Sequence, residues 1–315
     1  MRAEAHPVRE QALVFGDGLV GVLSAPAVAP PGAGERPALL VVNAGLVHRS
    51  GPQRLHVALL RRMAAQGFTG LRFDFSGIGD SLPRADSLPY TQSTLLELRQ
   101  AMDAVAAHSG CTRFVVLGLS SGALVSLAAA GADERVAGVC LMNPHGFGSA
   151  SVWGEHVDAL SAGRDYARNL RSLDSWRKLL TGRTNYRRLL SAVRARVVPR
   201  PADPEHAAVT AAAQPLFAGV FARALPALFV FSEKDASRDN IEQILGRGWQ
   251  RRLGATVRVA TIADANHTFA NPGHLQQVLA AIEQWILQAW PVASAAHNQG
   301  PAARAGLALG DSHGL

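Results

Sequence analysis

Five residues near the middle of the chain, Gly118-Leu119-Ser120-Ser121-Gly122, spell Gly-x-Ser-x-Gly. An apolar stretch of strand length, residues 114–119, runs into them, and a run of small residues suited to a helix leaves them. A sharp strand-to-helix bend would hold the Ser120 hydroxyl out from a strained backbone, and a glycine two residues to either side lets neighbouring chain pass close by. The N-terminus of the new helix points backbone N–H groups at the same spot, which favours a developing negative charge. The chemistry so implied is nucleophilic attack by Ser120. Ser121 stands at the variable position, where its backbone N–H rather than its side chain would be the useful group, as one oxyanion donor. The plainer alternative is an ordinary strand-to-helix turn with a serine cap.

A serine hydroxyl is a weak nucleophile without a base. In strand–turn–helix sites of this kind the chain order is nucleophile, acid, base. The chain has 11 histidines. His267 lies in Ala263-Asp264-Ala265-Asn266-His267-Thr268-Phe269, a loop directly after the last expected strand, from which it can reach over Ser120. His274 is the fallback, but it falls where the final helix opens. The acid should follow the preceding strand, which runs into Ser232-Glu233-Lys234-Asp235. Asp235 is the candidate that would accept a hydrogen bond from one ring nitrogen of His267 and hold the other toward Ser120. Glu233 and Asp239 are neighbours that could be solvated or cap the next helix. The alternative acid position one strand earlier reads Asn143-Pro144-His145 and carries no carboxylate.

A second oxyanion donor is expected from the loop Ala44-Gly45-Leu46-Val47-His48-Arg49-Ser50-Gly51, and by register it is the backbone N–H of Leu46. His48 and Arg49 could touch substrate or serve the loop itself through a salt bridge or hydrogen bond. The segment Phe73-Asp74-Phe75-Ser76-Gly77-Ile78-Gly79-Asp80-Ser81 is dense in glycine but is not a dinucleotide fingerprint, and Asp74 and Asp80 read as residues that hold loops beside the site. No cofactor and no metal-ligand cluster is expected.

The elements that must position these residues alternate. Residues 11–15 and 19–23 are short apolar runs around Gly16-Asp17-Gly18 and read as an antiparallel hairpin. Strands are expected at 38–43, 69–75, 113–119, 136–142, 227–231 and 256–262. Between them lie helices whose apolar residues share one face: Leu55, Leu59, Leu60 and Met63 from about Pro52, then Leu95, Leu98, Met102 and Val105, and later Ile241, Ile244 and Leu245. A last helix carries Leu275, Val278, Leu279, Ile282 and Ile286. Alternation of this kind predicts a mostly parallel sheet flanked by helices on both faces. It is broken at 144–222, which reads as a helical cap inserted after the strand ending near Met142, above the carboxyl ends of the strands. The core would then be 1–143 with 223–290, and 291–315 a disordered tail.

Charge is concentrated. Residues 151–200 hold eleven basic and four acidic residues, an excess of seven that equals the formal charge of the whole chain, +7. The cap would therefore meet an acidic partner, such as a phosphate-bearing acyl carrier, an anionic lipid surface or a carboxylated substrate, or else present a solvated basic face. Aromatic residues make up only 6% and are not interleaved with basic ones, which disfavours nucleic acid. Two cysteines, Cys111 and Cys140, cannot make a disulfide framework, no signal peptide is visible, and no apolar run is long enough to span a membrane. A soluble, cytoplasmic protein of undefined oligomeric state is the expectation.

Taken together, Arg72-Phe73-Asp74-Phe75-Ser76-Gly77-Ile78-Gly79-Asp80-Ser81, the Ser120 turn, Ser232–Asp235 and the His267 loop resemble α/β-hydrolases of the serine aminopeptidase/lysophospholipase type over residues 35–290. The insertion from Asp165-Tyr166 through Trp176-Arg177-Lys178-Leu179-Leu180-Thr181-Gly182-Arg183 is similar to the cap of bacterial exosortase-system-associated hydrolases. The resemblance implies the α/β-hydrolase fold and a Ser-Asp-His mechanism on Ser120, Asp235 and His267. It departs from the family at Ala44-Gly45, where His-Gly is familiar, which bears on the oxyanion donor. The expected activity is hydrolysis of a small carboxylic ester or thioester substrate through an acyl-enzyme. Acyl transfer, aminopeptidase activity or a non-catalytic binding role on the same fold are the alternatives.

Overall fold

The computed structural model describes residues 6–30, 32–86, 88–145, 204–252 and 254–291. Eight strands form one sheet in the order β1-β2-β4-β3-β5-β6-β7-β8. These are β1 (Val8–Phe15), β2 (Leu19–Pro26), β3 (Ala38–Val41), β4 (Gly70–Phe73), β5 (Phe114–Leu119), β6 (Val136–Met142), β7 (Ala227–Ser232) and β8 (Val257–Ile262). β1 and β2 make the expected hairpin, and β2 also lies antiparallel on β4, while every pairing from β4 to β8 is parallel. The strands β3 to β7 are buried throughout, which is why their sequences are mostly apolar runs and not alternating ones; the charged exception, Arg72 in β4, is paired with Glu10.

The described helices are α1 (Leu55–Ala65), α2 (Tyr90–Ser109), α3 (Ser121–Ala132), α4 (Pro204–Ala222), α5 (Ser237–Leu245), α6 (Trp249–Arg252) and α7 (Pro272–Ala289). They cover both faces. Leu98, Met102, Leu127, Phe217, Ile241 and Trp249 share one core with Leu40 and Val42, and Leu59, Met63, Val278 and Ile286 share the other with Leu39 and Val41. Successive residues of β3 thus feed opposite cores, as the pleat requires. α1 starts later than the sequence suggests: Pro52–Arg54 forms a separate 3-10 turn, because Gln53 (φ 47°) and Arg54 (φ 61°) are left-handed and interrupt the helix.

Of the expected cap, residues 146–203 lie outside the described residues, and with them the Arg-rich run and the exosortase-type segment. The helix that ends that stretch, α4, packs along α3 and buries Ala213, Phe217 and Val220 in the core. Residues 292–315 also lie outside the described residues. Cys111 and Cys140 are both buried and unpaired, and burial pushes the Cys140 thiol up, well away from reactivity. Among the described residues no helix is long and apolar enough to cross a membrane.

β3 has β4 on one side and β5 on the other, although β4 follows it in sequence. The loops leaving β3 and β5 therefore diverge, and the crevice between them is where open α/β sheets place ligands. Ser120 and the 43–51 loop both open into it.

Candidate active site

Ser120 sits between β5 and α3 with φ 59° and ψ −121°, a conformation rarely adopted by a residue with a side chain. Close packing imposes it. A Cβ on Gly118 would come within 2.1 Å of the Gly122 carbonyl oxygen, and one on Gly122 within 2.6 Å of the Asn43 carbonyl oxygen. Glycine at both places is thus a steric requirement of the turn. The Ser120 N–H donates to Met142 O at 2.9 Å, and the residue is only partly buried. Ser121 opens α3, and its N–H precedes the helix's own hydrogen-bond ladder.

The 43–51 loop is held against this turn from two directions. The Gly45 N–H donates to Ser121 Oγ at 2.9 Å, so the Ser121 side chain, which the sequence left without a role, ties the loop to the head of α3. With Val47 N–H donating to Ala44 O at 3.2 Å, the Leu46 N–H between them takes part in no such turn bond among the described residues, while the Leu46 side chain is exposed. The second tie is Asp74, whose side chain is fully buried. Its carboxylate accepts from Asn43 Nδ2 at 3.0 Å and from the Arg49 N–H at 2.6 Å, and the Arg49 guanidinium bridges it to Asp80, the latter at 2.6 Å. Asn43 in turn receives the Phe75 N–H at 2.9 Å and donates to Val47 O at 2.7 Å. Asp74 and Asp80 therefore hold the loop as the sequence suggested, and of the two roles left open for Arg49 its bonds to both carboxylates serve the loop; a buried carboxylate is tolerated because it is paired.

His48, Asp74 and Asp80 place three potential metal-ligand atoms within 4.8 Å of one another, a grouping that the spacing in sequence did not reveal. The Arg49 guanidinium already bonds both carboxylates, and it holds the Asp80 carboxyl below its usual range. A cation there would have to displace a positive charge, so these donors do not fit a metal.

Asp235 and His267 are brought together across 32 residues of chain: His267 Nδ1 donates to Asp235 Oδ2 at 2.7 Å. The other oxygen, Oδ1, accepts the Ser237 N–H at 2.8 Å and the Ser237 hydroxyl at the start of α5. The His267 loop is anchored on either side by Ala265 and Phe269, both fully buried. Ser120 Oγ makes no hydrogen bond to His267 in this geometry. The two loops nevertheless meet over β6, where the His145 ring stands edge-to-face on His267 with centroids 6.1 Å apart and the His145 N–H points to Ser120 O at 3.4 Å. His274 lies in the first turn of α7, whose cap is Asn271, and Glu233 receives the Asp264 N–H at 2.9 Å. Asp239 is buried in the first turn of α5. Sequence reading missed the buried amides Asn43 and Asn143. The one available signal was an asparagine directly after each of two apolar strands.

A family model described as "Alpha/beta hydrolase family" matches residues 39–282, and the chain belongs to that family. No curated protein matches the chain in sequence. Solved structures similar to it include DcsB in complex with its substrate analogue, at 16% identity and TM-score 0.55 over 91% of this chain and 100% of that one. Proline iminopeptidase from Mycobacterium smegmatis matches at 20% identity and TM-score 0.53, covering 89% and 98%. An α/β serine hydrolase without lid from Xanthomonas campestris matches at 17% identity and TM-score 0.50, covering 92% and 99%. At such identities these likenesses speak to the fold alone.

Proposed function

We propose that this protein is a serine hydrolase that cleaves a carboxylic ester or thioester, with Ser120 as nucleophile, His267 as general base and Asp235 as the residue that orients the base. The observation that carries this reading is the 2.7 Å hydrogen bond from His267 Nδ1 to Asp235. It commits Nδ1 to carrying the proton, which leaves Nε2 as the acceptor a serine needs. The strained, only partly buried Ser120 at the head of a helix supplies the nucleophile.

In this mechanism Ser120 Oγ attacks the carbonyl carbon as its proton passes to His267 Nε2. The oxyanion forms between the Ser121 and Leu46 N–H groups, each worth about 10²–10³ in rate. Collapse breaks the C–O or C–S bond, and the imidazolium returns the proton to the departing alcohol or thiol. Water, deprotonated by His267, then releases the acid and regenerates Ser120.

The test is a panel of esters and thioesters of graded acyl length, run with wild type and Ser120→Ala. Turnover by wild type, reduced to background by Ser120→Ala, is the expected result. A folded wild type that turns over no ester or thioester and is not labelled by a fluorophosphonate overturns the reading. Cleavage of N-terminal amides alone would move the assignment to a peptidase. Product formed only with an added acceptor would move it to acyl transfer. The basic excess in residues 151–200 supplies one further arm: activity on a phosphate-bearing thioester should fall from low to high salt.

A further inference from the structure

Asn143 directly follows β6, with its side chain fully buried and its backbone in the left-handed region, φ 40°. β6 lies between β5, which leads to Ser120, and β7, which leads to Asp235. The register pairs Met142 with Leu119 on one side and with Val230 on the other. The residue just beyond Met142 is therefore flanked by the loops of both the nucleophile and the acid.

Its amide is spent on the acid and base loops. Oδ1 accepts the Ser232 N–H at 2.7 Å, and Ser237 Oγ lies 3.4 Å from it. Nδ2 donates to Ser232 Oγ at 2.7 Å and to the backbone carbonyl of His267 at 2.8 Å. The Ser232 hydroxyl carries the link onward, donating to Asn266 O at 2.6 Å. Two carbonyls of the His267 loop, one of them on His267 itself, thus hang from a single buried amide and its bridging hydroxyl.

That placement bears on the chemistry. The Asp235 hydrogen bond sets the rotation of the imidazole, whereas the distance from the imidazole to Ser120 is set by where the backbone at 267 is held. Misplacing a reacting group by about 1 Å costs on the order of 10²-fold in rate. We propose that Asn143 is a positioning residue: through its bonds to His267 O and Ser232 it fixes the base loop relative to Ser120 and locks it to the acid loop. The proposal rests on reading Ser120, Asp235 and His267 as a triad.

The test uses the full chain and a fluorophosphonate probe, with kinact and KI measured separately for wild type, Asn143→Gly, Ser232→Ala and the double variant. Glycine is the apt replacement because it adopts φ 40° without strain, so that only the amide is lost. For Asn143→Gly, kinact should fall about 10- to 100-fold with KI within about twofold of wild type. Ser232→Ala, which removes only the bridge, should lower kinact by about three- to tenfold. The double variant should fall little below Asn143→Gly, because both residues belong to one network. A plug that merely stabilised the strand end would lower the melting temperature and leave kinact of the folded protein unchanged. Wild-type kinact in both folded single variants, or a loss confined to KI, overturns the proposal. Should Asn143→Gly not fold, Ser232→Ala decides by the same criterion. A folded wild type that the probe does not label overturns the triad reading itself, which separates that failure from failure of the Asn143 proposal.

Discussion

Asp235→Asn separates the two oxygens of one side chain. Oδ1 of Asp235 receives the Ser237 N–H at 2.8 Å, and Oδ2 receives His267 Nδ1–H at 2.7 Å. An asparagine must choose which way its amide faces. The Ser237 N–H can only donate, so the amide oxygen stays on that side and the NH₂ faces His267. The imidazole then accepts at Nδ1 and carries its proton on Nε2, the tautomer that cannot take a proton from Ser120. A forced wrong tautomer with intact geometry costs about 10⁴ in kcat, which is about 5.4 kcal/mol of transition-state stabilisation. Folding should hardly change, because the bond at the start of α5 survives. Asp235→Ala loses that bond too and should also destabilise the protein by about 1 kcal/mol. Ester turnover or fluorophosphonate labelling, read beside thermal melts, measures both effects. Asp235→Asn retaining more than about a tenth of wild-type kcat would refute the reasoning, since it would mean that Asp235 does not set the tautomer.

Ser121→Ala should leave the Gly45 N–H without its partner and loosen the loop that carries Leu46. A net loss of about 0.5–1.5 kcal/mol corresponds to roughly two- to tenfold in kcat, checked by steady-state kinetics with KM as the control. Acid should weaken the fold in two windows. Burial holds the His56 imidazole down to about 4, so the unfolded chain takes up a proton that the folded one refuses, and stability should fall as pH drops from about 6.5 toward 4. Burial works to raise Glu10, but hydrogen bonds from Arg61, Arg72 and Ser24 outweigh it and hold the carboxyl down to about 2. Its contribution is complete above about pH 4.5 and is lost as pH falls toward 2, so urea midpoints of Glu10→Gln should lose that lower limb. Arg223 donates to the carbonyls of Ala130, Asp133, Glu134 and Val136, between 2.8 and 3.2 Å, at the end of α3. Arg223→Ala should cost about 2 kcal/mol in a denaturant melt, and Arg223→Lys should recover little, because an ammonium cannot span the fork.

Much of this architecture is legible in the sequence because a parallel sheet buried on both faces must be written as apolar runs, and its helices as one-sided stripes. That is why 114–119 and 136–142 could be placed almost to the residue. Gly118 and Gly122 were legible for a steric reason, since a side chain at either would collide with the backbone the turn brings close, and they mark the serine between them. The break at Gln53 and Arg54 was not legible, because a left-handed conformation at ordinary residues leaves no compositional trace.

By itself the sequence determined which groups could do chemistry and in what order they enter the sheet: a serine on a tight bend, a carboxylate after one strand and an imidazole after the next. What only the tertiary structure decided is how those groups are aimed. That Asp235 rather than Glu233 meets His267 depends on a 2.7 Å contact between residues 32 apart. That Ser121 holds the 43–51 loop through its side chain, and that Asn143 gathers two loops onto one amide, depends on strands far apart in sequence lying side by side. A hydrogen bond is specified by distance and direction, and neither exists until the chain has closed its sheet.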